Sequence, residues 1–243
     1  MAVWSRSHSL QRKIITAIVM VGLLPLSLSL VLTYFEQRRA LREVIGVNFK
    51  EIALDAARRV ELQVTRGINE AQQLAAVPFL RTSVTEANRS YEGKSEEQIR
   101  AFIRDWQQRW KNRAKGSEFP LFINRIVTNY LIRWHDVRKS DYVGIFVTDE
   151  RGALVVSSIP QVEYDYGTAP WWQGIRKDEG NRVYVSDLYF DPSYGTHVLS
   201  VSVAIIDDQR KTVIGAVTVL LRRDALFHAI SEVVVGQTGH AML

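Results

Sequence analysis

The sequence predicts an α+β chain: one membrane-crossing helix, a long amphipathic helix, and an antiparallel sheet of about five strands with helices packed against it. Three observations carry that prediction. Residues 14–35 (IITAIVMVGLLPLSLSLVLTYF) contain no charge, and about 20 apolar residues cross a bilayer as a helix. Residues 36–76 repeat apolar side chains every three or four positions, which draws one stripe along a helix. From Tyr142 onward the pattern changes to β-rich runs separated by Asp, Gly and Pro turns, the signature of short antiparallel strands.

Composition narrows the function. The chain has 243 residues, with 47% hydrophobic and 23% charged, so the part outside the apolar run can bury a core. It has no cysteine, which excludes a disulfide scaffold and a thiolate metal site. The net charge is +5. Its basic residues, among them Arg58, Arg59, Arg100, Arg104, Arg109 and Lys111, are interspersed with Glu, Asp and Gln on helical stretches. They read as solvated helix faces rather than a nucleic-acid surface.

The apolar run is longer than the core of a secretory signal, and no small-x-small cleavage site follows it, so it reads as an uncleaved anchor. Pro25, Ser27 and Ser29 inside it are tolerated in membrane helices. Arg6, Arg12 and Lys13 precede the run, and Arg38, Arg39 and Arg42 follow it. Charge therefore does not orient it. The stripe beyond, from Leu41 to Ala71, ends before Pro78. It serves core packing, dimerisation or a rigid signalling rod, and these are compatible.

Residues 85–95 read as a polar break. Ser95 and Gln98 have the spacing of a capping box, opening a helix with Ile99, Phe102, Ile103, Trp106 and Trp110 on one side. Residues 115–120 end it, and a further helix is expected over 121–134. Strands are expected at 142–148 and 153–158, joined by the turn Asp149-Glu-Arg-Gly152. A short helix follows at Pro170-Trp-Trp172, with Pro suited to its first turn. Three more strands are expected at 182–189, 197–206 and 212–221. Asp224 then caps a last helix over 225–235.

Catalytic and metal motifs are missing. Gly93-Lys-Ser95 lacks the earlier glycine of a phosphate loop. His8, His135, His197, His228 and His240 have no ligand spacing, and no Gly-x-Ser-x-Gly elbow occurs. No cofactor or metal is expected, and these residues contain no enzyme site.

The order of elements, together with YVGIFVTDERGALVVSS, APWWQGI, VYVSDLYFDPSYG, VLSVSVAI and VIGAVTVLL, resembles the Cache sensor domains of bacterial transmembrane receptors, more closely the double-Cache type. The resemblance covers roughly residues 39–243 and is strongest over 142–221. It implies a PAS-like five-stranded sheet whose concave face holds a small ligand outside the cytoplasm. It also implies this division: 1–13 cytoplasmic, 14–35 transmembrane, 36–80 signalling and dimerisation helix, 81–235 membrane-distal sensor lobe, and 236–243 the opening of a second, membrane-proximal lobe. On that reading the chain is truncated, and it works as the input region of a sensor histidine kinase in a bacterial inner membrane. Diguanylate cyclase, chemoreceptor and phosphatase outputs fit equally by sequence. A membrane-tethered assembly module without a ligand is the alternative of another class.

The resemblance also implies site residues. Tyr164, Trp171, Tyr189 and Asp191 match positions used by amino-acid-sensing members, and Trp172 stands where they carry Tyr. Ala169 replaces their Arg, and Leu220 falls near their later Asp. An Arg pairs a carboxylate and an Asp pairs an ammonium. Losing both removes two contacts of about 1.5–3 kcal/mol each, so a free α-amino acid is not expected as ligand. The remaining cluster of Tyr164, Tyr166, Trp171, Trp172, Tyr189 and Asp191 suits a cationic or uncharged molecule. Arg176 or Arg182 would instead serve an anion. The partners expected are this ligand, the membrane, and a second copy along the long helix, with no nucleic acid.

Overall fold

The structure is a computed structural model describing residues 7–112, 125–160, 163–177, 182–207, 209, 211–231, 234–235 and 239–240. The expected break at 115–120, residues 1–6 of the segment 1–13 and most of the segment 236–243 lie outside the described residues. The chain divides into two units, Met1–Asp55 and Ala56–Leu243.

The first unit holds α1 (Ser7–Ile18), a π-turn (Val19–Leu23) and the start of α2 (Leu24–Ala75). Arg12–Arg39, 28 residues, is long and apolar enough to cross a membrane. Proline lacks an N–H and crowds the preceding turn. The π-turn immediately before Pro25 opens the ladder at the place where that proline would otherwise clash.

In the second unit, α3 (Pro78–Arg89) takes in residues 85–89 of the expected polar break, and 90–95 remain turn and coil. Pro78 sits in its first turn, and Leu80 and Val84, four apart, are buried. Thr82, Ser83 and Thr85 donate their hydroxyls to the carbonyls of Pro78, Phe79 and Arg81, so a polar-looking stretch folds as helix. The capping box is present. Ser95 Oγ accepts from Gln98 N–H, and Gln98 Oε1 accepts from Ser95 N–H at 2.8 Å. It opens α4 (Glu96–Lys111), and α5 covers Arg125–Asp136.

The sheet has six antiparallel strands rather than five. They are β1 (Tyr142–Asp149), β2 (Leu154–Ser157), β3 (Val183–Val185), β4 (Tyr189–Asp191), β5 (Thr196–Ile206) and β6 (Val213–Arg222). The order is β2-β1-β6-β5-β3, and β4 also pairs β5. The expected strand 182–189 is two short strands along β5, because at Ser186, whose N–H still donates to Ser200 O at 2.9 Å, the return bond goes to the side chain instead of the carbonyl. Its hydroxyl accepts from Ser200 N–H at 2.9 Å. Helix α6 spans Pro170–Lys177. The last helix, α7, is Arg223–Ser231, so Asp224 lies in its first turn rather than capping it. Val234–Val235 form β7, paired with β8 (Gly239–His240), instead of continuing that helix.

Side chains alternate across the sheet. Ile145 and Val147 of β1, Leu199, Val201, Val203 and Ile205 of β5, and Val217, Val219 and Leu221 of β6 share one core with Leu74, Leu80, Val84, Val127 and Leu131. Their β-branched shapes suit a pleated surface pressed against helices. Gly67 of α2 packs so closely on the sheet that a Cβ would stand 3.0 Å from Leu221 Cδ1. One turn along, the buried carboxylate of Glu70 accepts a 2.5 Å hydrogen bond from the Tyr142 hydroxyl. Arg66 and Arg138 lie 3.2 and 3.6 Å from Glu70 Oε1. The carboxylate thereby holds Arg66 more firmly protonated, and burial with the Glu70 bond pushes the Tyr142 phenol far up.

Tyr142→Phe leaves the Glu70 carboxylate short of a donor. Stability should fall by about 1–3 kcal/mol, read from urea unfolding, and Glu70→Gln combined with Tyr142→Phe should cost less than the sum of the two single changes.

Candidate functional site

The other face of the sheet carries smaller and polar side chains. Ser200, Ser202, Thr218 and Thr148 are buried there beside Ala204 and Ala216. Ser202 Oγ and Thr218 Oγ1 are 2.9 Å apart. Thr148 Oγ1 is buried without a hydrogen-bond partner among the described residues. Small residues in the floor leave space that larger ones would fill, and a cavity of about 220 Å3 lies above it.

Phe146, Thr218, Leu220 and Ser200 form that cavity's floor, and Tyr166 and Trp171 stand against it. Phe146 stacks on Tyr166 with centroids 5.0 Å apart and meets Trp171 edge-on at 5.8 Å. Tyr166 and Trp171 are also 5.8 Å apart, so the three rings make one wall. Tyr189, Asp191, Ser193 and Tyr194 close the other side from β4 and its turn. Gly195 takes φ +63 in that turn, a conformation glycine accepts freely. Asp191 Oδ1 accepts from Ser193 N–H at 2.9 Å.

Glu163 completes the lining. Gln107 of α4 fixes its loop: Oε1 accepts from Tyr164 and Asp165 N–H at 2.7 and 2.9 Å, and Nε2 donates to Glu163. Lys111 Nζ pairs with Glu163 at 3.3 Å. Burial, then neighbouring Tyr194 and the carboxylates Glu163 and Asp191, push the Tyr166 phenol far up. Burial and Asp191 raise Tyr189 as well. Both phenols therefore stay protonated donors. Among the described residues the lining contains two carboxylates and no Arg, Lys or His.

Of the six residues singled out from sequence, Tyr166, Trp171, Tyr189 and Asp191 meet in this cavity. Trp172 does not. It is fully buried against Ile175, Ala204 and Ala216, with Nε1 unpartnered among the described residues. Adjacent positions on α6 point apart, so one indole faces the cavity and its neighbour enters the core. Tyr164 lines a different cavity, with Asp149, Tyr91 and Trp106. Sequence reasoning missed Phe146, Ser200 and Thr218. Their signal was available in the alternation of Ser200 and Ser202 with valines along β5.

Asp149 terminates β1 and is 2% exposed. It accepts from Tyr91 Oη at 2.5 Å and from Arg151 and Ala153 N–H at 2.8 and 2.9 Å. Burial outweighs these donors and pushes its carboxyl up to about 6.

With this geometry in hand, residues 122–227 match the family described as methyl-accepting chemotaxis protein-like, first PDC sensor domain. The sensor domain of the V. cholerae histidine kinase DctB superposes with a TM-score of 0.52 at 11% identity, covering 79% of this chain and 60% of that one. The chain thus spans about 60% of that relative's length. At such identity the likeness shows the fold alone. The ligand-binding domain of the Pseudomonas fluorescens chemoreceptor CtaA, solved with L-isoleucine, gives a TM-score of 0.44 at 16% identity, covering 82% of this chain and 65% of that one. The sensory domain of the Campylobacter jejuni chemoreceptor Tlp3, solved with isoleucine, gives 0.37 at 17%, covering 71% and 66%. No curated protein sequence matches the chain. The cavity-bearing segment thus lies within the stretch that matches the PDC sensor-domain family and has the α+β fold of such domains, in line with the sequence resemblance.

The raised Asp149 carboxyl makes stability pH-dependent. Between its ordinary value of 3.8 and about 6, the folded chain binds a proton that the unfolded chain releases. Its contribution is therefore greatest at low pH and is lost as pH rises through about 6. Asp149→Asn should flatten that part of the profile, read as the unfolding free energy between pH 4 and 7.

Proposed function

We propose that this chain is the membrane-anchored input region of a bacterial signalling receptor, sensing a small molecule outside the cytoplasm. The observation that supports this most is the aromatic and acidic cavity on one face of a sheet whose opposite face carries α2. In this reading residues 14–35 cross the inner membrane, 36–80 are the signalling helix, 81–235 are the sensor lobe, and 236–243 open a second lobe. The output is a histidine kinase; a chemoreceptor, diguanylate cyclase or phosphatase is the alternative. The helix also pairs with a second copy, for which Leu62, 68% exposed on α2, is available.

The ligand in this reading is cationic or uncharged and not a free α-amino acid. Ala169 belongs to the packing around Trp172, and Leu220 lines the cavity. Neither supplies a charge for a carboxylate or an ammonium. Asp191 and Glu163 with the Tyr166, Trp171 and Tyr189 rings suit an amine or a neutral polar molecule. Signalling requires that this ligand prefer one of two positions of α2.

A thermal-shift screen of amines, polyols and amino acids tests the ligand. A true ligand raises the melting midpoint by linkage, Trp171→Ala removes the rise, and amino acids give none. No response across the panel would favour the assembly-module reading.

Topology is tested separately. The chain has no cysteine, and Val185 is 39% exposed. Val185→Cys should react with a membrane-impermeant maleimide in intact spheroplasts; protection until lysis would place the sensor lobe in the cytosol.

A further inference from the structure

A second cavity, of about 230 Å3, lies where α3 and α4 cover the β1–β2 hairpin. It equals the first in size but is lined by other residues. Tyr91, Phe102, Trp106 and Tyr164 supply four rings, and Glu86 and Asp149 supply two carboxylates. The rings follow one another around it, with centroids 6.1 Å apart for Tyr91–Phe102, 6.3 Å for Phe102–Trp106 and 6.1 Å for Trp106–Tyr164.

Its chemistry is selective. Among the described residues no Lys, Arg or His lines it; Lys94 and Arg109 lie outside the lining, over the Phe102 and Trp106 rings at 5.5 and 5.4 Å, so an anion inside meets two carboxylates while the rings show their attraction for cations. A bare metal ion needs several oxygen or nitrogen ligands, and no group of three or more such residues occurs among the described residues. Asp149 is 2% exposed and satisfied by dipoles alone, namely Tyr91 Oη and two backbone N–H groups. A buried carboxylate of that kind is stabilised by a nearby positive charge, and ring faces attract the same charge. Rings replace hydration poorly for an inorganic ion but well for one with an alkyl shell.

We propose that this α3–α4–hairpin cavity is a second binding site, taking a small organic cation of the quaternary or alkylated ammonium class. The alkyl shell contacts Phe102, Trp106 and Tyr164, and the charge faces Asp149 and Glu86. The site shares a wall with the first cavity. Glu163 and Tyr166 line one and Tyr164 the other, and Gln107, next to Trp106 on α4, holds that wall.

The test uses the 243-residue chain in a non-ionic detergent, with choline chloride titrated calorimetrically against a sodium chloride control. Detergents carrying choline headgroups are avoided. Wild type should bind choline, and Trp171→Ala, which alters only the first cavity, should retain that binding. Trp106→Leu should weaken it at least tenfold. Phe102→Leu should weaken it too, which keeps the test decisive if Trp106→Leu misfolds by circular dichroism. Absence of choline binding to wild type, its loss in Trp171→Ala, or its persistence in both α4 variants would overturn the proposal. Loss in Trp171→Ala alone would leave the first cavity standing as the receptor's site.

Discussion

The alternation of side chains along β5 and β6 places every other part of the sensor unit. One face of these two strands is all branched aliphatic: Val201, Val203, Val217, Val219 and Leu221. The opposite face is Ser200, Ser202, Ala204, Ala216 and Thr218. The first face collects α2, α3 and α5 by burying apolar area, at about 25 cal/mol per Å2. The second takes only the short α6, whose Trp172 and Ile175 pack on Ala204 and Ala216, and leaves the small hydroxyl-bearing residues beside it uncovered. Space remains there, and Phe146, Tyr166 and Trp171 ring it. A slip of one residue in either strand would exchange the two faces.

The same two-sidedness makes the sheet a thin partition. Leu220 lines the cavity, and Leu221, its neighbour in β6, touches the place where Gly67 lets α2 approach. Tyr142 pairs in register with Leu221 and donates to Glu70. A displacement of β6 by a fraction of an ångström would therefore act on a helix with no Cβ at Gly67 to cushion the contact and a carboxylate tied across it. Bistability in such packed contacts is what converts small shifts into discrete states.

Much of this was legible in the sequence. The apolar run, the capping box at Ser95 and the β1–β2 hairpin followed from local pattern, because each depends on residues within a few positions of one another. Other features were not local. Residues 85–89 looked like the start of a break, because the buried pair Leu80 and Val84 that holds their helix to the core lies just before them. The gap between β3 and β4 depends on the Ser186–Ser200 hydrogen bond across strands. The division of Trp171 from Trp172, and of Tyr164 from Tyr166, required the direction of each side chain, which spacing alone does not give on a short helix or an irregular loop. Four of the six residues expected at the cavity line it, and the strand floor went unread because serine and threonine on a strand look like solvent-facing residues.

The pairing of Thr218 in that floor with Ser202 beside it has a chemical consequence. Each hydroxyl can give one proton and take others, and either of the two can be the giver across their 2.9 Å contact. When Ser202 gives, Thr218 keeps its own proton to offer upward; when Thr218 gives, its lone pairs face upward instead. The bottom of the chamber is thus an amphoteric switch, able to greet an ether oxygen or an amine hydrogen by rotating two O–H bonds, and selectivity must be imposed by the rings and acids above it.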